Sequence, residues 1–117
     1  MGYVLDGYVV YKIRGHESLR IKSDLDREIA IQVGLDIASK STGNSNQYAY
    51  LEKEYSGVGE GSTSYGRGTG SWKSVPYANI RKAGRGYVLE LLDTDGFPQS
   101  EWDLDRSGKK SNRRIVK

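Results

Sequence analysis

The chain has 117 residues, the length of one domain, with 36% hydrophobic residues and a net charge of only +3. It holds no Cys and a single His, which excludes a disulfide framework, a thiolate nucleophile, a Cys-ligated metal and a two-His metal site within one chain. No apolar run approaches the roughly 20 residues of a membrane-spanning helix, and no basic-then-apolar leader is visible, so the expectation is a cytoplasmic protein with no membrane partner and no cofactor.

In chain order, residues 8–13 are β-branched and aromatic, and residues 18–22 alternate apolar and basic. The four residues between them, Arg14-Gly15-His16-Glu17, suit a hairpin turn. Tyr3-Val4-Leu5, set off by Asp6-Gly7, suits a separate strand or a bulged extension. In residues 28–38, Ile29, Ile31, Val33, Leu35 and Ile37 fall on every second position, which predicts a half-buried strand. The same stretch also sets Leu25, Ile29, Val33 and Ile37 at i, i+4 behind Ser23 or Asp24 as a cap, so a helix over 24–40 is the alternative. The β-branched content and the internal Gly34 favour the strand.

Residues 39–47 are a polar loop by composition, and residues 48–55 suit a further strand. Residues 56–71 hold six Gly, four Ser and two Thr, and predict a mobile Gly-rich loop, or a Gly-rich ribbon if both edges pair. Ser74 as a cap, Pro76 in a first turn and Gly84 as a stop predict a short helix over 76–83. Residues 87–92 form a strong strand pattern, Asp95-Gly96 a turn, and residues 101–105 a strand that turns Trp102 and Leu104 inward. The expected fold is mainly β, an antiparallel sandwich or open barrel with one short helix, becoming α+β if residues 24–40 are helical. Residues 1–105 form a single β-rich domain in this reading, and residues 106–117 a basic C-terminal tail.

Charge falls in blocks. Residues 1–105 carry 12 basic and 15 acidic groups, whereas the last twelve residues carry six cations and no acid. Within the body, Arg67, Lys73, Arg81, Lys82 and Arg85 form a stretch without acids, followed by Glu90, Asp93, Asp95, Glu101, Asp103 and Asp105 without cations. The basic stretch interleaves its charges with Tyr65, Trp72, Tyr77 and Tyr87. Rings on which bases stack, beside cations that hold the backbone, are what nucleic-acid binding requires. The candidate contact residues are therefore Tyr65, Arg67, Trp72, Lys73, Arg81, Lys82, Arg85, Lys109, Lys110, Arg113 and Arg114. The favoured function is a small non-catalytic binding module for an anionic partner, nucleic acid or an acidic protein surface.

Two other classes stay open. A protein-interaction or inhibitor module would use the exposed Tyr and the charge blocks without chemistry. A compact toxin-type enzyme would act on RNA or a dinucleotide; His16, Glu17 and Arg14 or Arg20 supply the residue types of a metal-free ribonuclease. The order of Arg14, Ser62-Thr63-Ser64 and Gln99-Ser100-Glu101 also resembles that of the ADP-ribosyltransferases. That resemblance implies Arg14 at the dinucleotide phosphate or ribose, Ser62 supporting the pocket and Glu101 stabilising an oxocarbenium-like state. Asp93-Thr94-Asp95-Gly96 is not a calcium loop, because the first and twelfth positions would be Leu91 and Trp102.

Overall fold

The structure, a computed structural model, describes residues 2–42, 46–58 and 72–116. Seven strands and one helix follow each other as β1 (Gly2–Arg14), β2 (Glu17–Leu25), α1 (Arg27–Ser39), β3 (Gln47–Val58), β4 (Trp72–Ala83), β5 (Gly86–Leu92), β6 (Pro98–Leu104) and β7 (Lys110–Ile115). All strands join one antiparallel sheet in the order β2-β1-β3-β4-β5-β6-β7. The mainly β, antiparallel architecture is thus as the sequence predicts, but among the described residues it is one sheet under one helix, and that helix is not the one expected at 76–83. The sheet stays open, with β2 and β7 as its edges, and is not closed into a barrel.

The helix corrects one expectation. Residues 27–39 are α1, not a strand. Its buried residues are Ala30, Ile31, Gly34, Leu35, Ile37 and Ala38, two per turn, while Ile29 at the head of the period-two series is 51% exposed. Counting only large side chains hides the stripe, because three of its members are the small residues Ala30, Gly34 and Ala38 at i, i+4, i+8. Those small residues let the helix lie close on β1, β3 and β4. A Cβ at Gly34 would meet Ile80 Cδ1 at 2.8 Å, Ala49 Cβ at 3.3 Å and Leu51 Cδ1 at 3.4 Å. The core is the layer between helix and sheet: Leu35 against Val10, Ala49, Leu51, Ala78, Ile80 and Leu89, all with no exposed surface. Gln47, the first residue of β3, ties the helix end down by donating from Nε2 to the Ile37 carbonyl at 3.0 Å.

A second correction concerns residues 76–83, which are the core part of β4 and not a short helix. Ala78 and Ile80 fill the slot beneath α1, and that burial outweighs the local cap signals. Pro76 is tolerated because the register slips by one between Leu51/Ala78 and Glu52/Pro76, and pairing with β5 begins only at Ala78. Trp102 and Leu104 do face the core, as expected.

The last two hairpins repeat one device. Asp93 Oδ1 accepts from the Asp95 and Phe97 amides, and Asp105 Oδ1 accepts from the Ser107 and Lys109 amides, each at 2.9 Å. Gly96 and Gly108 close the loops at φ +89° and +92°, a backbone conformation that favours glycine. The second loop leads into β7, so residues 110–115 form an edge strand of the sheet, and the basic segment continues the domain instead of trailing from it.

Gly34 gives the first test. Gly34→Leu should cost about 2–3 kcal/mol in urea unfolding, through overpacking against Ala49, Leu51 and Ile80. Gly34→Ala should stay within about 1 kcal/mol of the parent, because Ile80 Cδ1 is a movable side-chain tip and Ala returns about 1 kcal/mol of helix propensity.

Candidate nucleic-acid interface

Residues directly paired across an antiparallel sheet share a side, and successive residues along a strand alternate sides. The pairing therefore sorts the charged strand residues between the side that carries α1 and the open side. Val10, Ala49, Ala78, Ile80 and Leu89 mark the helix side. Lys12 pairs with Ala49, Lys22 with Val10, Lys53 with Tyr8, Lys82 with Tyr87 and Lys110 with Leu104, which places all five Lys on the helix side. Lys73, two residues along from Val75 and paired with Tyr55, follows on that side, and so does Arg113 beside Ser100 and Ile115. The open side receives the row Arg20–Tyr11–Tyr50–Asn79–Glu90–Glu101–Arg114, one residue from each strand. Glu52, Glu54, Arg81 and Asp103 lie on that side too. The strand lysines sorted by the pairing thus lie on one side and, Glu17 apart, the strand carboxylates it sorts lie on the other.

On the helix side, cations sit over aromatic rings. Lys73 Nζ is 5.0 Å from the Tyr3 ring centre and Lys53 Nζ 5.9 Å from that of Tyr77. Beyond the helix, Arg106 is 5.9 Å from Tyr87 and Lys110 Nζ 5.0 Å from Trp102. Tyr77 is held in place by an edge contact with Tyr8, ring centres 5.1 Å apart, and burial raises its phenol pKa. Trp102 is half-buried, and its Nε1 is buried without an acceptor among the described residues. Lys73, Arg106 and Lys110 are exposed. Lys109 lies in the β6–β7 turn and Arg85 in the β4–β5 turn, at the same end of the sheet as Lys82 and Lys110.

The candidate residues named from the sequence are divided by this geometry. Lys73, Lys82, Lys110 and Arg113 share the helix side, with Arg85 and Lys109 at its end. Arg81 and Arg114 do not join them. They converge on Glu101 on the open side, Arg81 at 3.6 Å and Arg114 Nε at 2.9 Å, and Arg114 also reaches Asp103 at 2.9 Å. Tyr65, Arg67 and most of the Gly-rich loop lie outside the described residues; Trp72 opens β4 opposite Ser56. Sequence reasoning missed Tyr3, Lys53 and Arg106 as partners of the site. Only the register brings Tyr3 of β1 beside Lys73 of β4, so no local pattern signals it.

The catalytic alternatives gain no convergence. Arg14 pairs with Gln47 on the helix side, whereas Glu101 is on the open side, and Ser62 lies outside the described residues. His16 and Glu17 are exposed at the β1–β2 turn, and Arg20 faces Glu54 on the open side at 3.5 Å. Comparison of the chain with protein-family models, with curated proteins and with solved structures finds no match.

The β6–β7 hairpin is held by charge as well as by its backbone. The Arg114 hydrogen bond, then that of Asn112, lowers the Asp103 pKa, and the Ser107 hydroxyl and Lys109 amide lower that of Asp105. Both carboxyls titrate below their unfolded value of 3.8, so their contribution to stability is complete above that pH and is lost as pH falls through the lowered folded values. Carboxyl NMR titration below pH 3.8 should show β7 loosening with these two protonations. In Arg114→Ala, Asp103 should titrate closer to 3.8 while Asp105, capped by its own loop, stays low.

Proposed function

We propose that this chain is a small non-catalytic binding module that holds single-stranded nucleic acid on the helix-bearing side of its sheet. The observation that carries the reading is the set of four cation–ring pairs on that side, Lys73/Tyr3, Lys53/Tyr77, Arg106/Tyr87 and Lys110/Trp102. A base stacks on a ring by displacing a flexible Lys or Arg tip, and the displaced cation moves to the neighbouring phosphate. Stacking contributes about 1–3 kcal/mol per base and needs an open base face, which a single strand offers and a duplex does not. Strand carboxylates are few on this side, Glu17 beside Arg14 at the edge being the one the pairing places there, while α1 adds the exposed Glu28 and Asp36, the latter paired with Lys40.

Fluorescence anisotropy with a labelled oligothymidylate, read over a salt series, tests this. Lys73→Ala and Lys110→Ala should each weaken binding and flatten the slope of log affinity against log salt by roughly 0.7. Tyr3→Ala should cost about 5-fold or more, the loss of one stack. Arg81→Ala and Arg114→Ala should leave affinity within about twofold, since both residues lie on the opposite side. Equal losses for Arg81→Ala and Lys110→Ala, or equal binding of duplex and single strand, would overturn the reading.

A further inference from the structure

The helix covers one side of the sheet only, and none of the described elements packs on the other. That open side sets a polar row of side chains over the buried Val9 and Val88. Ion pairs neutralise part of it: Arg20 of β2 faces Glu54, Arg114 of β7 faces Glu101 and Asp103, and Arg81 of the central strand β4 reaches across to Glu101. Glu52 and Glu90 stay outside these pairs. Among the described residues, no cation lies within ion-pair distance of Glu52 or Glu90. Each is half-buried and held by a neutral donor, Tyr50 Oη–H to Glu52 at 2.8 Å and Asn79 Nδ2–H to Glu90 at 3.1 Å. Beside them the Tyr11 and Tyr50 rings lie 5.7 Å apart at 36°.

We propose that the open side of the sheet docks an arginine-rich segment of a partner protein, whose guanidinium groups seat on Glu52 and Glu90 beside the Tyr11–Tyr50 pair. Charge complementarity selects this occupant: the pairing places five carboxylates against three arginines on this uncovered face, and the two left without a cation among the described residues, Glu52 and Glu90, are fixed in place. A nucleic acid would bring phosphates against those carboxylates. Arginine fits better than lysine, because its planar fork matches a carboxylate and stacks on tyrosine. Glu52 on β3 and Glu90 on β5 stand two strands apart and two residues apart along the strands, about 12 Å in all, a span that two side chains of one extended segment can bridge. Tyrosine and carboxylate positions pinned before binding spare the ordering cost that flexible side chains incur. The negative centre also registers in the phenols: Tyr50 and Tyr11 are both raised, first by burial and then by Glu52.

The test uses an acetylated nona-arginine peptide, titrated into the full chain by calorimetry and by amide NMR. Glu52→Gln/Glu90→Gln removes two charges while keeping acceptors for Tyr50 and Asn79. Glu17→Gln/Asp95→Asn removes two exposed charges elsewhere and is the control. The first pair should weaken binding at least about tenfold and the control less than about twofold. Amide shifts should centre on Tyr11, Tyr50, Asn79 and Glu90. If the double variant fails to fold, Glu90→Gln alone should still weaken binding by about threefold. Equal losses in both pairs would show diffuse attraction and overturn the proposal. So would peptide shifts confined to the helix side, or oligothymidylate shifting the open-side amides. Because the oligothymidylate and peptide readouts fall on opposite sides of the sheet, this proposal and the nucleic-acid reading fail separately.

Discussion

The close seat of α1 on the sheet governs the rest of the molecule. Gly34 lies over Ala49, Leu51 and Ile80 with no room for a side chain larger than a methyl group. Ala30 and Ala38 extend the same flat stripe one turn each way, and Leu35 and Ile31 fill the flanks. A single helix can supply a core for a domain this small only if it comes this near, since the apolar area removed from water grows with the closeness of contact. The seat also decides which side of each strand is inside. Once Val10, Leu51, Ile80 and Leu89 point at the helix, alternation assigns the other strand residues to a side, except where a register shift interrupts it.

The strands were legible where pattern and pairing coincide. Residues 8–13, 18–22, 48–55 and 87–92 announce themselves by β-branched and aromatic content, and the Asp95-Gly96 turn by its chemistry. Two elements were misread, for opposite reasons. In α1 the informative residues are small, so a scan for large apolar side chains follows the wrong period. In β4 the local signals, Ser74, Pro76 and Gly84, are genuine cap formers, but the slot beneath the helix takes Ala78 and Ile80 as strand residues. A bulge then removes the cost of Pro76. Local propensity is a weak prior wherever a buried slot decides.

The site was harder to see than the fold. A basic run such as Arg81-Lys82 or Arg113-Arg114 looks like one patch when written in a line. On a strand its two members point to opposite sides, so the run contributes one cation to each. The pairs that do assemble, Tyr3 with Lys73 and Tyr87 with Arg106, come from residues distant in sequence or split between a strand and a turn. Charge blocks along the chain are therefore a poor map of charge on the molecule. The acidic block is an example: Glu90, Glu101 and Asp103 all fall on the open side, whereas Asp95 and Asp105 stand in turns.

The separation of Lys from Glu by the thickness of a sheet has a kinetic corollary. Strand lysines on one side, and five carboxylates against three arginines on the other, give the strand charges an electric dipole moment perpendicular to the sheet. Net charge sets how strongly a distant polyion attracts the molecule, but the dipole sets a torque. Within a Debye length, about 8 Å at physiological salt, that torque rotates the molecule before contact is made. A polyanion meets the helix side and a polycation the bare side more often than random tumbling allows. Added salt should erase that bias in the angle of arrival even for collisions that it does not prevent.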